Sequence, residues 1–240
     1  MTGFLIFAFG AGVLGAVTWL VLRARRLERD RDFERKVHAR KSGWTYDGQR
    51  SGRIDYRFEG TAGGIDWQMW HDSDRGDDSP TPRAYWTSSN LQTPGLALVI
   101  IGRKRFQLES GTVGRLLMGV VSGVAQAVTG HEGQVDKAEF YESAIEIKVG
   151  RPAFDDRFTV AVAPDMPRDW VDSELQALLL DWPATVTSRM FKGEDSVEIT
   201  LRADGLRINV QKLPQDIAHW RHLARLGEHL ARQLSRTEPR

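Results

Sequence analysis

Hydrophobic and polar positions divide this chain sharply at Leu22. Gly3 to Leu22 runs twenty residues without a charge and leads straight into Arg23, Arg25 and Arg26. At about 1.5 Å per helical residue the run reaches roughly the 30 Å of a bilayer's hydrocarbon, so the pattern predicts a transmembrane anchor over 1–22. A cleaved signal peptide fits less well, because no Lys or Arg precedes the run and no small-x-small site follows it. Positive charge stands on one side of the run only, with Arg23, Arg25, Arg26, Arg29 and Arg31 after it. The positive-inside rule then puts the N-terminus outside and the remainder in the cytoplasm.

Within the anchor, Ala8, Gly12 and Ala16 recur every fourth residue. Small residues at that spacing let helix backbones approach, which predicts a face for self-association or for another membrane subunit. Gly and Ala are also simply common in membrane helices. The next stretch, 23–41, carries a net charge of +5 and leaves −4 for residues 42–240, against +1 overall. It reads as a basic juxtamembrane helix whose Arg23, Arg25, Arg26 and Arg29 meet anionic lipid headgroups, at about 1 kcal/mol per basic residue. Nucleic acid is not an expected partner, since the remainder is mildly acidic and shows no basic stripe.

From 42 to 236 the pattern changes to short alternating runs, which predict an α+β domain built on a mainly antiparallel sheet, with a possible sub-boundary near 130–138. Val197, Ile199, Leu201 and then Leu206, Ile208, Val210 flank Asp204-Gly205. A two-residue turn there pairs Ala203 with Leu206, Leu201 with Ile208 and Ile199 with Val210. A second hairpin sets Ile54, Tyr56 and Phe58 against Ile65, Trp67 and Met69, with Phe58 opposite Ile65. Further strands are predicted at 84–88, 96–101, 141–149 and 158–163, the second buried on both faces. Helices are expected from Ser173 to Asp181 and from Pro214 to Leu234. The latter gathers Ile217, Trp220, Leu223, Ala224, Gly227, Leu230, Ala231 and Leu234 on one side to close the domain.

The segment 114–129 is apolar over most of its helical circumference, with Leu117 and Val121 on that surface. It predicts a core or interdomain helix, or one lying at a membrane surface and sensing lipid, or a second span; Leu117 and Val121 are then candidate partner contacts.

Composition adds little chemistry. The absence of cysteine excludes disulfides, a Cys nucleophile and thiolate metal sites. His219 and His222 stand one turn apart on the last helix but lack a third ligand beside them, and read as solvated boundary residues. Asp72, Asp74, Asp77 and Asp78 resemble a calcium loop superficially, yet Arg83 holds the twelfth position where a bidentate acid belongs. No phosphate-loop, nucleophile-elbow, zinc-helix or dinucleotide motif is present. No cofactor and no small-molecule ligand are therefore expected. Of the eight tryptophans, Trp67 and Trp220 fall on apolar faces, whereas Trp70 and Trp86, at strand ends beside the acidic loop, are candidates for an exposed binding surface.

The stalk ending Ala39-Arg40-Lys41-Ser42-Gly43-Trp44, the stretch Pro152-Ala153-Phe154-Asp155-Asp156-Arg157-Phe158-Thr159-Val160 and the closing strand pair plus helix resemble a family of bacterial single-pass membrane-anchored proteins of unknown function. The resemblance implies an inner-membrane protein with a cytoplasmic domain and brings no catalytic residues; the apolar 114–129 segment departs from it. Together these features predict a membrane-tethered interaction or scaffold subunit and not an enzyme. The alternatives are a lipid sensor acting through 114–129 and an enzyme with an unfamiliar site.

Overall fold

The computed structural model describes residues 2–49, 51–73, 82–91, 93, 95–110, 135–168, 170–182 and 197–237. The predicted membrane-surface or interdomain helix at 114–129, with Leu117 and Val121, residues 130–134 of the possible boundary at 130–138, and most of the acidic loop lie outside those residues. Two compact units emerge, 1–46 and 47–240.

The first unit is a single helix, α1 (Thr2–Ser42), with the residues that end it. Gly43 stops the helix at φ 74°, and the Trp44 amide donates to the Ala39 carbonyl at 2.8 Å while the Gly43 amide donates to Arg40 at 3.4 Å. This double bond pattern behind a left-handed glycine satisfies the last carbonyls and reverses the chain. The reversed chain returns Tyr46 to Asp32, its hydroxyl donating at 2.5 Å, and sets Trp44 edge-on to His38 at 5.3 Å. Burial and the Asp32 carboxylate together push the Tyr46 phenol well above its ordinary range.

The membrane reading is corrected at this helix. The apolar and basic stretches are one continuous helix of 41 residues, and its described side chains soon reach Arg23, Arg25 and Arg26, whose transfer into hydrocarbon is costly. Among the described residues no helix is long and apolar enough to cross a membrane. The anchor over 1–22, the single-pass inner-membrane location and the outside–inside orientation are overturned by that finding.

The second unit is sheet-rich, as the alternating pattern predicts. Its elements are β2 (Ile54–Ala62), β3 (Ile65–Asp72), β4 (Arg83–Ser88), β5 (Leu98–Gly102), α2 (Arg103–Ser110), α3 (Val135–Ser143) and β6 (Ile145–Ile147). There follow α4 (Pro152–Asp155), β7 (Phe158–Val162), α5 (Ser173–Leu180), β8 (Val197–Arg202), β9 (Gly205–Gln211) and α6 (Ile217–Thr237). A short strand, β1 (Thr45–Asp47), spans the boundary between the units. Within the second unit the order is β2-β3-β4-β9-β8-β5-β7-β6, and these neighbours are antiparallel.

Both hairpins form, in other registers than expected. In β8–β9, Leu201 faces Leu206 and Ile199 faces Ile208, so Ala203-Asp204 makes the turn. Gly205 belongs to the strand instead: it sits at φ 114°, and a Cβ there would lie 2.1 Å from the Ser88 carbonyl oxygen. In β2–β3, Phe58 faces Met69 and Ala62 faces Ile65, because the turn falls on Gly63-Gly64 at φ 61° and 83°. Two successive positive φ angles make a turn that matches strand twist. Residues 141–143, expected in a strand, end α3 instead, and β6 begins after them.

One face of the sheet is apolar across its width. Tyr56, Phe58, Trp67, Met69, Ala84, Trp86, Ile208, Ile199, Ile100 and Val160 are all buried there. Helix α6 covers β3 and β4 on this face and packs against α5. Trp220 contacts Tyr56 and Phe58, with ring centroids 5.3 and 5.6 Å away. Gly227 admits the Trp86 ring: a Cβ there would meet its Cε2 at 2.3 Å. Among the described residues the opposite face is covered only in part. Over β5 and β7, Phe106 of α2 and Phe140 and Tyr141 of α3 pack on Val99, Ile101 and Ala161. That double cover explains why β5 is buried on both sides.

Candidate functional site

Strand parity decides what the partly covered face carries. Residues alternate between faces, so Arg57, Trp70, Tyr85 and Asn209 stand in one row across β2, β3, β4 and β9, on the side away from α6. Trp70 and Tyr85 stack at 5.1 Å with planes 23° apart, and both are half-buried. Gln68, Thr87 and Arg207 form the next row. Arginines alternate with acids around the aromatic pair: Arg57 lies 3.6 Å from Glu59, and Arg207 lies 3.1 Å from Asp204. The Asn209 side-chain oxygen and the Arg83 Nε are enclosed there with no hydrogen-bond partner among the described residues.

The row continues into Glu198 on β8, where the helical cover begins. Arg105 of α2 donates to Glu198 at 2.6 Å, and Lys137 of α3 donates to the other carboxylate oxygen. Burial alone would push this carboxyl up, but Lys137 and Arg105 outweigh it and hold it down to about 2. One carboxylate thus ties two helices to the sheet.

The histidines are engaged one by one. Buried His71 lies with Nδ1 2.9 Å from Asp55 and Nε2 3.2 Å from Gln215, and its ring stacks on Tyr56 at 5.5 Å. His229 is buried between α6 and α5, with Nε2 2.9 Å from Asp172 and Nδ1 3.4 Å from Glu174. His219 contacts Asp216 at 2.5 Å, and His222 lies 2.7 Å from the Leu178 carbonyl, its ring depressed in pKa by burial. His219 and His222 therefore have separate partners. Among the described residues no three His, Asp or Glu side chains gather as a metal site would require.

Of the residues singled out from the sequence, Trp70 stands on the open face, and Leu117 and Val121 lie outside the described residues. Trp86 is corrected: it is fully buried under α6, because it shares parity with Ala84 and Ser88 on the apolar face. Arg23 to Arg29 are exposed on α1, with the Arg23 guanidinium 5.1 Å over the Trp19 ring. Ala8, Gly12 and Ala16 lie within α1, and their side chains are outside the described residues. Sequence reasoning missed Tyr85, Asn209 and the Glu198 cluster. For Tyr85 a signal existed, since its parity is opposite to that of Trp86. For Asn209 and Glu198 the signal is only tertiary. Comparison of the chain with protein-family models, with curated proteins and with solved structures finds no match.

Proposed function

We propose that this chain is an interaction protein, an accessory or scaffold subunit that docks a protein partner on the open face of β2, β3, β4 and β9. The observation that carries the reading is the stacked, half-exposed Trp70–Tyr85 pair at the centre of that face. Tryptophan and tyrosine are the residues in which interface energy concentrates, and they supply large rigid contact area at low entropic cost. The interleaved arginines and acids favour a partner of mixed charge over a polyanion.

The test compares full-length protein with a Trp70→Ser/Tyr85→Ser variant, each purified with its associated proteins from the same cells. The reading expects a stoichiometric partner with the original chain and its loss from the variant, while circular dichroism shows the fold retained. The same associated proteins at the same yield in both samples would overturn it.

A further inference from the structure

The outer edge of β6 is a second place where this chain is equipped to meet a polypeptide, and the open face plays no part in it. β6 is the last strand in the sheet order, and β7 is its only strand neighbour among the described residues. The sequence from Ile145 is Ile-Glu-Ile-Lys-Val, ending at Val149. Ile145 and Ile147 face Val162 and Val160 on the apolar side of the sheet, whereas Glu146 faces Ala161 on the other. Lys148 shares the face of Glu146 by parity and contacts its carboxylate.

This pattern is complementary to itself. If two copies of the strand run antiparallel about a twofold axis through Ile147, Ile147 meets its own equivalent and Ile145 meets Val149. Glu146 meets Lys148, and Lys148 meets Glu146. Every apolar residue then opposes an apolar residue, and every charge opposes its counter-charge. A shift of two residues would instead set Glu146 against Glu146, so the charges select one register.

Backbone groups suit the same arrangement. The Val149 amide is spent inward, donating to Asp155 at 3.2 Å. Because strand peptide groups alternate in direction, those of Glu146 point to the outer edge, and Lys148 follows directly on the strand's last residue, Ile147. Glu146 and Lys148 are the residues that face each other in the register the charges select. Glu146 is also steadied by Arg103 at 3.1 Å, and its carboxyl is held low: burial pushes it up, and Lys148 and Arg103 outweigh that. The carboxylate is therefore charged and positioned before any partner arrives. Lysine on an edge strand ordinarily guards against pairing, but here the acid two residues away converts the guard into a match.

We infer that the edge of β6 is an interface for a second copy of this chain, in which the two sheets join antiparallel about Ile147 with reciprocal Glu146–Lys148 pairs. The contact is short, so association is weak and reversible. The inference stands whether or not the open face docks a partner.

Two experiments on the full chain decide it. The protein has no cysteine, so single cysteines report register directly. Ile147→Cys should oxidise to a covalent dimer. Glu146→Cys and Lys148→Cys should each crosslink poorly alone and readily when mixed, because cross-strand partners stand within disulfide reach. In sedimentation, Glu146→Lys or Lys148→Glu should raise the dimer dissociation constant at least about tenfold, and mixing the two should restore association as a heterodimer. A wild-type protein that sediments as a monomer throughout, or charge variants that dimerise as it does, would overturn the inference. So would equal crosslinking of all three cysteines alone.

Discussion

At the scale of single residues, Glu198 and Gly227 show how much of the fold rests on one contact. Glu198 carries a buried charge between Arg105 and Lys137, and removing one member of such a group strands the others at about 3–5 kcal/mol. Its depressed pKa gives a comparable figure by linkage. A carboxyl at about 2 in the fold and 4.5 outside it contributes about 3 kcal/mol above pH 5. The contribution falls as the solution is acidified toward pH 2, since the unfolded chain takes up the proton first. Urea unfolding of Glu198→Gln should therefore lose about 3 kcal/mol at pH 7 and approach wild type near pH 2; parallel curves at every pH would refute the role. At Gly227 two effects compete. Alanine would gain about 1 kcal/mol of helix propensity, but its Cβ would enter the fully buried Trp86 ring, and overpacking costs about 1–3 kcal/mol. The ring has nowhere to retreat, so Gly227→Ala should be net destabilising, read as a lower urea midpoint with an unchanged slope.

At the scale of elements, α5 and α6 are joined by a polar seam. Asp172 caps α5 by accepting from the Leu175 amide at 2.8 Å, and it also receives Gln233 at 2.6 Å and faces His229. Burial raises its carboxyl, but the Leu175 amide and His229 hold it below the usual range, so the seam weakens as pH falls through that depressed value. Asp172→Ala should cost about 1 kcal/mol as a lost cap alone. It should also speed amide exchange in Ser173–Leu180 more than in α6, which stays anchored by Trp220 and Leu223. Equal acceleration in both helices would contradict the seam. Elements are also where the sequence was most legible. The apolar stripe of α6 is buried from Trp220 to Leu234 as its period requires, and each hairpin has the faces expected of it except at Ile54, which a register irregularity sets opposite Asp72 and not on the apolar face. Register was not legible, for a definite reason: apart from Ile54, the observed pairings differ from those expected by two and by four residues. An even shift leaves every side chain on the same face, so alternation cannot detect it. Only the turn chemistry of Gly63-Gly64 and the close packing of Gly205 fix it. Helices α2 and α3 lacked a periodic signal because Arg103, Arg105 and Lys137 serve ion pairs and not a core.

At the scale of the whole molecule, strand order was the part the sequence could not supply, because alternation reports a face and not a neighbour. β4 lies between β3 and β9, and β5 lies between β8 and β7. The candidate site inherits the same limit: Trp70 was legible as lying opposite Trp67 and Met69, but its companions Tyr85 and Asn209 come from β4 and β9 and are adjacent only once the sheet is assembled. The order also predicts how the second unit assembles. β2 and β3 are joined by a two-glycine turn, and β8 and β9 by Ala203-Asp204, so each pair closes locally; hairpins form in about 1–10 μs. β5 has no such neighbour. It must find β7, where Ile100 meets Val160, and β8, where Ile100 meets Ile199, both distant in sequence. Loop closure precedes the reward of such contacts, and folds dominated by them form in roughly milliseconds to seconds. Pulsed hydrogen exchange during refolding should therefore protect Gly60–Gln68 and Thr200–Arg207 before Val99–Ile101. Ile100→Val, which trims a side chain buried in the fully covered strand, should leave the early protection unchanged and chiefly speed unfolding, since late contacts are absent from the transition state. Protection of β5 ahead of both hairpins would mean that the central strand nucleates the sheet, and the order of assembly argued from topology would be reversed.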